Sequence, residues 1–239
     1  MQSIILAGGR GTRLAPITDV VPKCLVEIKG RPMLEWILEK IIAAGINEVN
    51  LIVGYKREMI EEHFGPEFEG VKINYFLQKE QLGTAHAVSL CERHMKGDFL
   101  LANGDVIIGT REYEKLTRAR TKRPCGIVLA RKVSDPSRFG VLKVSGAEVV
   151  DIIEKPRPGK EPGNIVSTGT YMLGKDIFGS VRQTSPSKRN EFEIVDSLLN
   201  YIATGKSIEY RMCKGPIVDI SSFEDLVAAN NLPEKEFPQ

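Results

Sequence analysis

Short apolar runs alternate with amphipathic segments through the first 105 residues, and that alternation restricts the possible folds more than any other feature of the chain. Ser3-Ile-Ile-Leu-Ala7, Asn50-Leu-Ile-Val-Gly54, Val71 to Leu77 and Asp98 to Ala102 read as strands. Between them, Met33 to Ala44 carries apolar residues at helical spacing and stops at Gly45, a residue that commonly ends helices. Lys56 to Phe64 and Thr84 to Met95 read as further helices. Strands that are apolar throughout suit burial on both faces, so the pattern predicts βαβ units and an α/β fold around a parallel sheet.

The second half changes character. Cys125 to Lys132, Gly140 to Val144, Glu148 to Ile153 and Val166 to Leu173 are strand candidates, three of them separated by short turn-like segments. That spacing predicts a small added antiparallel portion. A helix from Glu191 to Ala203 ends at Gly205, followed by a strand over 207–212 and a last helix near Phe223 to Ala229. Pro156 to Gly163 reads as a long loop, and 231–239 as a frayed tail. No linker or repeat interrupts the chain, so one domain over 1–239 is expected, with halves at 1–125 and 126–230.

After the first strand stand Leu6-Ala-Gly-Gly-Arg-Gly-Thr-Arg-Leu14, three glycines and two arginines within a few residues. A glycine-rich turn entering a helix exposes backbone N–H groups that suit phosphate oxygens, although the same glycines also make a tight turn that binds nothing. Two familiar phosphate loops are excluded. A Walker A loop ends in Gly-Lys-Ser/Thr, whereas this one reads Gly11-Thr12-Arg13, and a dinucleotide fingerprint begun at Gly9 needs glycine where Leu14 stands. Arg10, Arg13 and Lys23 place three cations near one set of amide donors, an arrangement that suits a polyphosphate and a departing pyrophosphate.

Composition removes other classes. The net charge of +2 and the scattered basic residues do not fit a nucleic-acid footprint, and Arg118 to Arg123, the densest basic run, reads as a solvated helix end. No apolar run approaches the ~18 residues that span a bilayer, and no leader pattern precedes the first strand, so no membrane association and a cytoplasmic location are expected. The four cysteines form no C-x-x-C pair, which argues against disulfides and structural zinc.

The glycine loop followed by Pro22-Lys23 resembles the signature of the sugar-1-phosphate nucleotidylyltransferases, or NDP-sugar pyrophosphorylases. Gln78, Gly83-Thr-Ala85, Asn103-Gly-Asp105, Phe139-Gly-Val141, Glu154-Lys-Pro156, Thr168-Gly169, Asn190-Glu-Phe-Glu193 and Val218-Asp-Ile220 follow in family order. Val53-Gly-Tyr-Lys56 and Pro186-Ser-Lys-Arg-Asn-Glu191 are similar to short glucose-1-phosphate uridylyl- and thymidylyltransferases. The resemblance implies a Rossmann-like three-layer sheet of the nucleotide-diphospho-sugar transferase type. It also implies a reaction: the phosphate of a sugar 1-phosphate attacks the α-phosphorus of a nucleoside triphosphate, with Mg²⁺ as cofactor, releasing pyrophosphate and an NDP-sugar. UTP or dTTP and glucose 1-phosphate are the favoured substrates, and family members are often homo-oligomers.

Carried over by motif, Leu6, Ala7, Gly8, Gly9, Gly11, Thr12 and Thr84 hold the nucleotide, Gln78 reads the base edge and Gly83 lets the base lie close. Arg13 and Lys23 neutralise the phosphates. Asp105 falls where an apolar strand ends, the edge at which open α/β sheets bind ligands, and Asp219 could join it on one metal ion; alone, Asp105 would read as a turn residue. Lys155 holds the sugar phosphate in line and Glu154 accepts sugar hydroxyls, the bland alternative being an exposed salt bridge. Gly140 and Gly169 give the sugar ring room, while Glu191 either binds hydroxyls or favours a helix dipole. No base is required, because a phosphate monoester with a second pKa of ~6 is already an anionic nucleophile near neutrality.

Departures from the family pattern are few. Phe139 stands where many relatives have tyrosine, and Ile217-Val-Asp-Ile-Ser221 replaces Trp-x-Asp-Ile-Gly. The chain stops before any left-handed β-helix or acyltransferase extension, so a bifunctional enzyme is not expected. Two rivals remain: a guanylyl- or other nucleotidylyltransferase for mannose, heptose or N-acetylglucosamine 1-phosphate, and a non-catalytic nucleotide-sugar-binding regulatory subunit. The second would be expected to lose Arg13, Asp105 or Lys155, all of which are present.

Overall fold

The structure, a computed structural model, describes residues 1–119 and 125–239. In chain order, β1 (Gln2–Leu6), α1 (Ile17–Val20), a hairpin of β2 (Glu27–Ile28) and β3 (Arg31–Pro32), and α2 (Met33–Ala43) come first. β4 (Glu48–Val53), α3 (Arg57–Phe64), β5 (Glu67–Phe68), β6 (Val71–Leu77), α4 (Thr84–Ser89), β7 (Phe99–Asn103), β8 (Val106–Ile108) and α5 (Thr110–Arg118) follow. Then come β9 (Cys125–Lys132), β10 (Gly140–Ser145), β11 (Glu148–Glu154), β12 (Ile165–Leu173), α6 (Ile177–Arg182), α7 (Ile194–Ala203), β13 (Ser207–Met212), β14 (Ile217–Asp219) and α8 (Phe223–Asn231).

Two compact units interleave along the chain rather than dividing it at residue 125. The first comprises Met1–Gln81, Ala102–Arg118 and Gly215–Gln239. In it β1, β4 and β6 run parallel, with β5 antiparallel at the edge. α2 buries Met33, Leu34, Ile37, Leu38 and Ile41, the three-and-four spacing of a helix that offers one apolar face. A polar ladder pins the sheet's register: buried Asn50 donates to the Ser3 carbonyl at 2.9 Å and Asn74 donates to Asn50 Oδ1 at 3.2 Å. A one-residue slip would break both bonds and turn every side chain to the opposite face.

β8 and β14 form a separate antiparallel pair in this unit. The tail that was expected to fray is docked. Phe237 is 1% exposed with its ring edge-on to Trp36 at 4.9 Å, Lys29 Nζ donates to the Leu232 carbonyl at 2.6 Å, and Thr110 N–H donates to Gln239 O at 2.9 Å. Burying one phenylalanine is worth about 2 kcal/mol, and together with these hydrogen bonds it helps to offset the ordering of the segment.

The second unit comprises Leu82–Leu101 and Ala119–Lys214. β9 pairs antiparallel with β12 and parallel with β13, while β10 pairs antiparallel with β11 and, at one position, with β12. The antiparallel portion is therefore larger than the sequence pattern suggested. Arg118 closes α5 against Glu114 at 3.3 Å, as a helix end should, and residues 120–123 of the basic run lie outside the described residues. Among the described residues no helix is long and apolar enough to cross a membrane.

Candidate active site

In the first unit the glycine loop leaves the C-terminal end of β1 and is held from several sides by backbone. Ala7 N–H donates to the Ile52 carbonyl at 2.9 Å, Tyr55 N–H donates to the Gly8 carbonyl at 3.2 Å, and Gly104 N–H donates to the Leu6 carbonyl at 2.9 Å. Gly11 has φ +69°, and a Cβ there would lie 2.8 Å from Lys23 Cβ, so only glycine allows the lysine stem to cross the loop. Thr18 Oγ1 locks the turn by donating to the Gly11 carbonyl at 3.0 Å.

Lys23 then reaches Asp105, with Nζ to Oδ2 at 2.5 Å and side chains 14% and 33% exposed. The pair borders a small cleft of about 70 Å³, together with Leu6, Ala7, Gly9, Cys24 and Gly104. Burial pushes the Cys24 thiol up to about 12, which keeps it neutral and unreactive. Gln78 is buried, and its Oε1 lies 3.4 Å from where a Gly8 Cβ would stand. Arg13 and Thr12 are exposed, as is Arg10, which rests 5.4 Å from the Tyr55 ring centroid and 3.5 Å from Asp19.

Asp219, 114 residues beyond Asp105, comes into the same ladder. It pairs in register with Val106, and Ile220 N–H donates to the Asp105 carbonyl at 3.1 Å. Ser221, standing where the family pattern has glycine, supports this turn. Its N–H and hydroxyl both donate to Asp225 Oδ2 at 2.9 Å, while Ser222 caps α8 by accepting from Asp225 N–H.

The sugar-side candidates gather in the second unit. Glu154 ends β11 opposite Gly140, where a Cβ would stand 3.0 Å from Glu154 Oε2. Lys155 follows with φ +45°, a conformation that side-chain-bearing residues rarely adopt, and its N–H donates to the Phe139 carbonyl at 3.0 Å. Lys155 Nζ lies 3.4 Å from Glu154. One guanidinium serves three further contacts: Arg189 approaches Glu191 at 2.6 Å, Glu193 at 3.4 Å and Glu154 at 3.8 Å. Burial pushes Glu193 up to about 7, opposed by Arg189 and Lys155 and reinforced by the negative charges of Glu154 and Glu191.

Other candidates take structural positions. Thr84 Oγ1 accepts from Ile194 N–H at 2.8 Å and so satisfies the first amide of α7. Gly83, at φ +113°, packs on the Phe192 backbone, where a Cβ would come within 2.5 Å of the carbonyl oxygen. Gly169 sits in a bulge of β12, its N–H donating to Ser167 Oγ at 3.0 Å, and it does not line the cavity beside Glu154.

The nucleotidyl transferase family profile matches residues 2–236. A Haloferax volcanii protein described as UTP–glucose-1-phosphate uridylyltransferase AglF is 35% identical over 242 residues, spanning all of this chain and 99% of that one. The chain belongs to the nucleotidyl transferase family. A Methanococcus maripaludis protein described as bifunctional protein GlmU is 38% identical over 232 residues, and there the match spans 97% of this chain and 54% of the relative. A solved UDP-glucose pyrophosphorylase in complex with UDP-glucose superimposes with a TM-score of 0.86 at 26% identity, covering 96% of this chain and 97% of that one.

Members of this transferase family work with divalent metal ions. Asp105, one-third exposed beside the cleft, and Asp219 in the adjoining register fit a hard cation held by one or two carboxylates, with substrate oxygens and water completing its shell. No group of three or more His, Cys, Asp or Glu side chains forms a metal cage among the described residues.

Sequence reasoning did not single out Arg189 and Glu193, which the structure places beside Glu154. Both lie in the stretches that carry the resemblance, and the signal that could have found them is the charged run from Lys188 to Glu193, two cations followed by two carboxylates, just ahead of an apolar helix.

Proposed function

We propose that this nucleotidyl transferase joins UTP or dTTP to glucose 1-phosphate, giving a nucleoside diphosphate glucose and pyrophosphate. The observation that supports the reading is the Lys23–Asp105 pair beside the glycine loop, a cation and a carboxylate of the kinds that suit a triphosphate and its metal. The parallel β1–β4–β6 sheet supports a Rossmann-like reading of the nucleotide half.

In this reading the amides from Gly8 to Gly11 cradle the phosphates, the Ala7 N–H being taken by the Ile52 carbonyl, and Gln78 reads the pyrimidine edge. An amide offers both a donor and an acceptor to the O4/N3–H edge of uracil or thymine. Lys155 and Glu154 fix the sugar phosphate and its hydroxyls. An oxygen of that phosphate forms a bond to the α-phosphorus as the bond from the α-phosphorus to the β-bridging oxygen breaks, and pyrophosphate carries off the electron pair. Arg13 and Lys23 stabilise the charge that grows on the leaving group. Mg²⁺ held by Asp105 and Asp219 would supply further neutralisation of the triphosphate. The protein's task is positioning and electrostatics, so no side chain needs to act as nucleophile. A cytoplasmic location and a homo-oligomer accompany the reading.

The test is Mg²⁺-dependent pyrophosphate release with UTP, dTTP, GTP, CTP and ATP crossed with glucose, mannose, N-acetylglucosamine and galactose 1-phosphates. Release confined to UTP or dTTP with glucose 1-phosphate supports the assignment. Release with GTP keeps the chemistry and overturns the substrates, and tight nucleotide-sugar binding with no turnover by folded protein overturns both.

A further inference from the structure

A cavity of about 310 Å³ in the second unit is bordered by the charged residues Glu154, Lys188, Arg189, Glu193 and Asp196. Glu193 stands immediately before α7, at the position whose side chain usually accepts from the first helical amides, yet it makes no capping bond. Thr84 takes the first amide instead. The Glu193 side chain is 7% exposed, and its Oε1 is buried without a hydrogen bond.

Its surroundings are charged. Arg189 and Glu191 face it from the preceding loop, Glu154 and Lys155 act on it from the end of β11, and Asp196 on its own helix borders the same cavity. From helix α4, which also carries His86, the neutral Thr84 hydroxyl meets the start of α7. Arg189 is 2.6 Å from Glu191 and 3.4 Å from Glu193, so the buried carboxylate is the less well served of two competitors for one cation. A buried carboxylate in that position retains a proton more readily than an exposed one, in line with the value of about 7 given above.

We propose that Glu193 is a positioning residue for the sugar phosphate: protonated, it leaves Arg189 to Glu191 and the incoming anion, and ionised, it draws Arg189 away and repels that anion. The inference rests on the proposed function for its ligand, because only an anionic ligand entering this cavity would experience the competition.

The test compares wild type with Glu193→Gln, whose amide stands in for the protonated acid. KM for glucose 1-phosphate is measured from about pH 6 to about pH 8, a span chosen to bracket carboxylate titration near neutrality. The ligand's own ionisation affects both proteins and cancels in the ratio of their KM values. That wild-type-to-variant ratio should rise roughly fivefold across the range, with a larger effect on KM than on kcat. A ratio constant across the range overturns the proposal, because a merely structural glutamate would not move it. If the variant does not fold, carboxyl ¹³C NMR of wild type decides: a Glu193 midpoint near 7 supports the proposal and one near the ordinary glutamate value, about 4.3, overturns it. Failure of every sugar 1-phosphate to turn over would sink the functional reading, while the NMR titration would still decide the state of Glu193.

Discussion

At the glycine loop one lysine meets one carboxylate, Lys23 on Asp105 at 2.5 Å, and the other residues bordering the cleft carry no charge. In the second unit one guanidinium is divided among Glu191, Glu193 and Glu154 at 2.6, 3.4 and 3.8 Å. The first arrangement is balanced and geometrically fixed. In the second, three carboxylates compete for one guanidinium, and burial pushes Glu193 up to about 7. Fixed donors suit a site that must stabilise charge without reorganising, whereas competing carboxylates suit a site that grips hydroxyls and admits one anion.

The largest test of that contrast is Asp105→Asn. It should lower kcat for pyrophosphate release by about a hundredfold to a thousandfold, because a fixed electrostatic element is removed. A thermal melt close to that of wild type would place the loss in the chemistry. A variant that keeps a tenth of its turnover would break the contrast.

Next in size is Gly83→Ala. A Cβ at φ +113° and 2.5 Å from the Phe192 carbonyl oxygen is strained and crowded, and urea denaturation should show a loss of about 2–3 kcal/mol. Near-wild-type stability would instead leave nucleotide contact as the reason for glycine there.

The smaller effects concern charge and capping. In the folded protein Glu193 binds its proton up to about pH 7, above the ordinary carboxylate value, so stability contributed by the protonated form is present below about 4.5 and is lost as pH rises through 7. Glu193→Gln should therefore gain stability relative to wild type at pH 8, on the order of 1 kcal/mol, and gain less at pH 6. An equal difference at both values would mean that the cavity is as balanced as the glycine loop. Thr84→Val, which removes the acceptor for the Ile194 amide, should cost about 1 kcal/mol in denaturant melts at either pH.

Several strands were legible from sequence: β6, β9 and β13 have the expected bounds, 71–77, 125–132 and 207–212. α5 was not, because the residues it buries are Glu112, Tyr113 and Leu116, a weak apolar stripe whose glutamate is held by Lys115 at 2.7 Å. α4 stops at Ser89 rather than running to Met95, and β8 and β14 are too short to show a period. Lys23 and Asp105 could be singled out because a family motif marks them. Glu193 could not, since its behaviour comes from burial and from neighbours 39 residues away at Glu154, which no local pattern records.

The edge-on contact between Trp36 and Phe237 has an optical consequence. Trp36 is the only tryptophan in the chain, so its fluorescence is a single-site reporter of whether the segment carrying Phe237 is seated. Emission that shifts to the red before the far-ultraviolet dichroism changes would time the release of that segment separately from the melting of the sheet, with no label attached.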